Sequence, residues 1–272
     1  MEPMKIPLED SFADVVTKAM RGLLQTDAMV AEGAGAAIEQ VVALRTGHWD
    51  LAVGRSVAGV LGLNPDALVA LAEGRSVPPS LSLEGLASFS TAFDDMLVNS
   101  YLVWDAASGE AVAFDTGSDA GPMLDCIREK GLTLKALLVT HTHGDHVFEL
   151  DRLCSKTGAH AFVNALEPLA GAEAFVTGRD WSLGRLRVTS HLTCGHSRGG
   201  TTYVVHGLER PVAVVGDALF AASMGGAKVS YADALRTNRE VIFALPPETV
   251  LCPGHGPLTT VGWERQWNPF FA

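Results

Sequence analysis

The run Leu137–Val147, LLVTHTHGDHV, constrains this chain more than any other segment. LKALLVT, apolar in character except for Lys135, reads as a buried strand, and His141, His143, Asp145 and His146 follow it directly. Residues two apart in an extended segment point the same way, so His141 and His143 can converge on one ion. Asp145 and His146 are adjacent and follow a glycine turn, so they can aim at a second ion. Imidazole and carboxylate are the ligands that suit zinc, iron or manganese. A chance surface loop is the poorer reading, because these groups at the end of a buried strand would be costly without a partner.

Three later residues repeat the pattern of a ligand-type side chain at a strand end beside glycine. His196 lies in LTCGHSRGGTTYVV, Asp217 in AVVGDALF and His255 in VLCPGHGPL. Taken singly, each could be a solvated turn residue. Together with the first run they make seven ligands, which suits two metals sharing a carboxylate. Zinc is the first expectation for the pair of divalent ions, with iron or manganese as alternatives.

The rest of the chain changes character near residue 85. Residues 1–85 read as a helical extension, with apolar positions Phe12, Val15, Val16, Met20, Leu23 and Leu24 at helical spacing. Asp10 or Ser11 can cap the first helix, and Asn64 with Pro65 can start the last. Residues 86–272 alternate strands and helices, predicting an α/β core of two packed sheets with helices outside. Helices are expected over 120–130, 147–156 and 231–245. A chain of 272 residues that is 47% hydrophobic and 19% charged can bury such a core.

Charge and cysteine usage exclude several function classes. The formal net charge of −11 argues against general binding to nucleic acid or to an anionic membrane. LNPDALVALAEGRSVPP has a faint helix-turn-helix look, but residues 1–85 hold six Lys or Arg against eleven Asp or Glu. A helical cap beside the cleft, or a homo-oligomer contact, is the preferred role for that segment. Cys126, Cys154, Cys194 and Cys252 form no CxxC pair, which with no signal-like start and no membrane-length apolar run predicts a cytoplasmic protein.

The motifs THTHGDHV, GH at 196, GD at 217 and GH at 255, in that order, resemble the metallo-β-lactamase superfamily over roughly residues 88–272. The resemblance implies an αβ/βα sandwich with the site at one edge. It implies that His141, His143 and His196 hold a first metal, that Asp145, His146 and His255 hold a second, and that Asp217 bridges them. Within the superfamily the chain is similar to glyoxalase II and its short bacterial relatives. NSYLVWD at 99–105, AFDTG at 113–117, GDALFAASMGG at 216–226 and PGHGPLTTVGWERQWNPF at 253–270 carry that likeness.

The implied activity is hydrolysis of a small-molecule thioester, such as a hydroxyacylglutathione, by a hydroxide generated at the metals, with Asp145 as a catalytic acceptor. Long glyoxalase II enzymes bind glutathione partly through a C-terminal helical domain, for which the sequence given has no counterpart after its NPF motif. Lys228 and Tyr231 are shifted counterparts of the family's substrate-contacting Lys and Tyr. Arg198 replaces a more usual proline and can pair with a substrate carboxylate. Two other readings remain: a mononuclear-iron persulfide dioxygenase on the same fold, and a regulatory protein with a vestigial site.

Overall fold

The computed structural model of the protein describes residues 6–272. Five helices come first: α1 (Phe12–Gly22), α2 (Asp27–Ala34), α3 (Ile38–Arg45), α4 (Leu51–Val60) and α5 (Pro65–Ala72). Their boundaries follow local chemistry. Ser11 and Asp14 form a reciprocal capping box at α1. The Asn64 side chain accepts from the amides of Asp66 and Ala67, with Pro65 at the first helical position of α5.

Two six-stranded sheets follow. The first has the order β1 (Leu86–Phe93), β2 (Met96–Trp104), β3 (Glu110–Phe114), β4 (Thr133–Leu138), β5 (His160–Asn164) and β6 (Ala172–Phe175). The second runs from β12 (Thr259–Thr260) through β11 (Val250–Pro253), β10 (Val212–Gly216), β9 (Thr201–His206) and β8 (Leu186–Leu192) to β7 (Asp180–Leu183). Strand alternation assigns each face. Tyr101, Val103, Val112, Phe114 and Leu138 pack between the sheets against Val188, Tyr203, Val205, Val214 and Cys252.

The alternate residues Leu102, Ala113 and Leu137 face outward, under α6 (Gly121–Lys130) and α8 (Leu150–Thr157). On the far side, Ala213, Val215 and Leu251 pack beneath Ile242 and Val261. Those two residues belong to a π-helical turn (Asn238–Ile242) that continues α9 (Tyr231–Thr237), and to α10 (Val261–Trp267). The layers are therefore helix, sheet, sheet, helix, as an αβ/βα sandwich requires.

Tertiary contacts alter two of the expected helices. The 147–156 segment is split into α7 (Gly144–Val147) and α8, because Phe148 and Glu149 turn so that the Glu149 amide reaches Thr116 Oγ1 at 3.1 Å. The 231–245 helix loosens into the π-helical turn, where Asn238 Nδ2 takes the carbonyls of Ala234 (2.8 Å) and Ala218 (3.0 Å). Strands β6, β7 and β12 are short and partly exposed, which leaves little hydrophobic pattern to read.

The helices α1–α5 share their core with the rest of the chain. Val16, Ala19, Val41, Leu44, Val57 and Leu68 join one cluster with Ala222, Met224, Ala234 and Phe270. Polar contacts fix the seam: the Asn64 amide donates to Pro269 O at 2.7 Å, and Lys18 Nζ donates to Met224 O at 2.9 Å. The segment after Asp217 is thus covered by α1. Among the described residues no helix is long and apolar enough to cross a membrane.

Candidate metal centre

The strand order puts the ends of β4, β10 and β11 at one edge, and each end carries a centre residue. His141 follows β4, Asp217 follows β10 and His255 follows β11. β10 and β11 are parallel with Gly216 opposite Pro253, so Asp217 and His255 leave the sheet side by side. His196 arrives from the loop before β9, which is tied to the first sheet by the Thr201 amide donating to Thr140 O at 2.9 Å.

The seven residues expected at the site come together as two groups. His141, His143, His196 and Asp217 form one, and Asp145, His146 and His255 form the other, with the ligand atoms of each group within 4.8 Å of one another. Asp217 touches both. Its Oδ2 is 3.3 Å from His196 Nε2 and 3.5 Å from His255 Nε2, and its Oδ1 is 3.3 Å from His146 Nε2. Asp145 Oδ2 lies 3.4 Å from His255 Nε2 and 3.5 Å from His146 Nε2.

Hydrogen bonds outside the cluster orient the rings. His196 Nδ1 meets Gly226 O at 3.0 Å, and His255 Nδ1 meets Leu97 O at 2.7 Å. His146 Nδ1 meets Asp115 Oδ2 at 2.7 Å. Each contact holds the proton on Nδ1 and leaves a bare Nε2 lone pair facing the centre. His141 is held in the same way one step removed. The Thr140 hydroxyl donates to Asp115 Oδ2 (2.7 Å), so its oxygen can accept from His141 Nδ1 (3.1 Å).

The donor set fits cations. His143 Nδ1 lies 3.0 Å from both His141 Nε2 and His196 Nε2, so three imidazole nitrogens crowd one point. Neutral rings held with lone pairs inward cannot satisfy one another there. His146 Nε2 and Asp217 Oδ1 are buried with no hydrogen-bond partner, an arrangement that is costly unless a positive ion completes it. The backbone leaves room only because residue 254 is glycine. A side chain there would begin 2.1 Å from Asp217 Oδ1.

Electrostatics agree. Burial opposes charge on His146, yet Asp115 and Asp217 outweigh it and push its pKa up to about 10. Burial likewise opposes charge on His255, but Asp145 and Asp217 raise it to about 11. His141 is held well below the usual histidine range, first by burial and then by His146. The carboxylates create a pocket that favours positive charge, and a divalent ion meets that demand with every ring neutral.

The three candidate substrate residues belong to neither ligand group. Arg198 and Lys228 are exposed. Tyr231 is half-buried in the helical seam. Its ring lies against Gly22 and 6.5 Å from Phe270, and burial pushes its hydroxyl up to about 12. Asp115 and Thr140 were not singled out from sequence. The AFDTG run contained the signal, a carboxylate directly after a buried strand. All four cysteines are free, and Cys252 is buried between the sheets.

Comparison with known proteins agrees with the geometry. Residues 93–255 match the metallo-beta-lactamase superfamily, and the chain belongs to it. It is 34% identical over 162 residues to a hydroxyacylglutathione hydrolase of Cereibacter sphaeroides, covering 57% of this chain but 61% of that relative. It is 30% identical over 199 residues to a "Probable metallo-hydrolase" of Streptococcus pyogenes, covering 63% of this chain and 84% of the relative. Among solved structures it is similar to TTHA1623 in a di-iron-bound form, with a TM-score of 0.54, 25% identity and coverage of 67% and 99% of the two chains. Membership of this superfamily together with the His/Asp groups implies a centre for divalent metals.

Proposed function

We propose that the protein is a dinuclear metal-dependent hydrolase that cleaves a thioester such as a hydroxyacylglutathione. The observation that carries this is the pair of converging ligand groups with Asp217 between them. His141, His143 and His196 would hold one ion, Asp145, His146 and His255 the other, and Asp217 both. Two divalent ions supply an activated water and polarisation of the substrate carbonyl. The hydroxyacylglutathione hydrolase relative supports the substrate class.

The protein's own groups then do the rest. Asp145 is partly open to solvent, and although burial opposes ionisation, His255 and His146 keep it a carboxylate. It can accept a hydrogen bond from the attacking water. Attack forms a carbon–oxygen bond and breaks the carbon–sulfur bond, and the water's protons end on the released thiol and in solvent. No protein nucleophile is required. The substrate is a small molecule, and zinc is the first candidate metal, with iron or manganese as alternatives.

Elemental analysis paired with hydrolysis of S-lactoylglutathione tests the reading. About two metals per chain with cleavage is the expected result. About one iron per chain with no cleavage would overturn it in favour of oxidative chemistry. His143→Ala and Asp217→Ala should each lower kcat/KM by at least about a thousandfold with loss of bound metal, while circular dichroism keeps the wild-type fold.

A further inference from the structure

We propose that Arg21, on the helical extension, binds a carboxylate of the substrate at the His196 side of the metal centre. This rests on the thioester reading above and adds a residue that nothing in the metallo-hydrolase core supplies.

Three observations carry it. First, α1 lies across the segment that follows Asp217. Arg21 Nη2 lies only 3.0 Å from where a side chain on Gly226 would begin, and Gly226 O is the acceptor that holds His196 Nδ1 at 3.0 Å. The guanidinium is therefore one residue's width from a centre histidine.

Second, Arg21 is exposed on the last turn of α1 and has no acidic partner among the described residues. Other surface cations do have one. Arg152 pairs with Glu149 and Asp119, and Arg236 with Asp233 and Glu240. Two further exposed cations without such partners flank the same histidine: Arg198, two residues beyond it, and Lys228, whose amide donates to Gly226 O at 2.8 Å. A chain of net charge −11 thus keeps three exposed cations without an acidic partner on segments next to one ligand. Such a cluster attracts an anion and gives a guanidinium the freedom to bind it with two parallel hydrogen bonds.

Third, an acid rather than a cation stands next to Gly256. The backbone nitrogen of Glu9 lies 3.2 Å from where a side chain on Gly256 would begin, next to His255. A carboxylate-bearing thiol carrier meets a cation at the Gly226 side and an acid at the Gly256 side.

The test compares S-lactoylglutathione, whose thiol carrier bears carboxylates, with the S-lactoyl thioester of N-acetylcysteamine, which has none. Arg21→Ala should reduce the preference for the glutathione ester by about fivefold through KM, about 1 kcal/mol and the upper range for an exposed ion pair. Bound metal and Tm should match the wild type. KM for the glutathione ester should rise with salt in the wild-type enzyme and less steeply in Arg21→Ala, and Arg21→Lys should recover part of the preference. An unchanged preference in Arg21→Ala, with the wild type cleaving both esters, overturns the role of Arg21 and leaves the thioester reading standing. Cleavage of the neutral ester alone by the wild type does the same. Cleavage of neither ester by metal-loaded wild type overturns the thioester reading and this role with it.

Discussion

Asp115 belongs to neither ligand group, yet three groups at the centre depend on it. Its carboxylate accepts from the Thr140 amide and hydroxyl and from His146 Nδ1, each at 2.7 Å. It thereby fixes the tautomer of His146 directly and of His141 through Thr140. It does so from a left-handed backbone conformation (φ 57°), rare for a residue with a side chain. Asp115→Asn should weaken metal binding by about 10–100-fold. Competition against a chromophoric chelator measures this, and wild-type affinity in the variant would exclude the orienting role. The seven centre residues were legible because four sit in one short run and the others share its strand-then-glycine context. Asp115 was not, because a carboxylate after a strand has many uses and only the packing of β3 beside β4 shows which groups it meets.

At the scale of elements, the C-terminal helix α10 is docked by a carboxyl rather than by an apolar side chain. Glu264 is fully buried and accepts from Thr259 Oγ1 (2.6 Å), Asn268 Nδ2 (2.8 Å) and the Ala222 amide (3.1 Å). Asn268 passes the connection to Ser223 O at 2.8 Å. The network ties α10 to the segment after Asp217. Burial raises the Glu264 pKa to about 8, against the pull of its three donors. A carboxyl whose folded pKa exceeds its unfolded value favours the folded state while protonated. Its contribution is therefore present at low pH and lost as pH rises from about 4.5 through about 8. Denaturation midpoints should fall across that window in the wild type and fall less in Glu264→Gln. Parallel pH profiles for the two proteins would show that another group controls the slope.

Across the whole molecule, the helical layer and the sandwich fold around shared surfaces rather than as beads on a string. The cluster that holds α1–α5 includes Ala222, Met224 and Phe270 from the far end of the chain. The centre itself is a stability element, since it joins the ends of β4, β10 and β11 with the loop before β9. Removing the metals leaves crowded nitrogens and buried carboxylates to repel or to take up protons. A ligand at about a hundred times its Kd adds about 2.7 kcal/mol per site. For a chain of this size, chelation should lower Tm by at least about 5 °C, and readdition of the metal should restore it. A Tm indifferent to chelator would mean that the metals contribute nothing to the fold.

The sequence by itself determined the superfamily, the sandwich of two sheets and the seven residues that the structure gathers into two groups. Those features are written as local patterns: alternation in strands, capping at helix starts, and ligand-type residues with fixed spacing beside glycine. Tertiary structure alone decided which groups orient the ligands, where the 147–156 and 231–245 helices break, and what α1 faces. Each of those depends on atoms distant in sequence: Thr116 meeting Glu149, Asn238 competing for Ala234 O and Ala218 O, and Arg21 lying on Gly226. A local pattern records what a residue prefers, but a charge or a hydrogen bond acts across space, so its partner exists only once the chain has closed on itself.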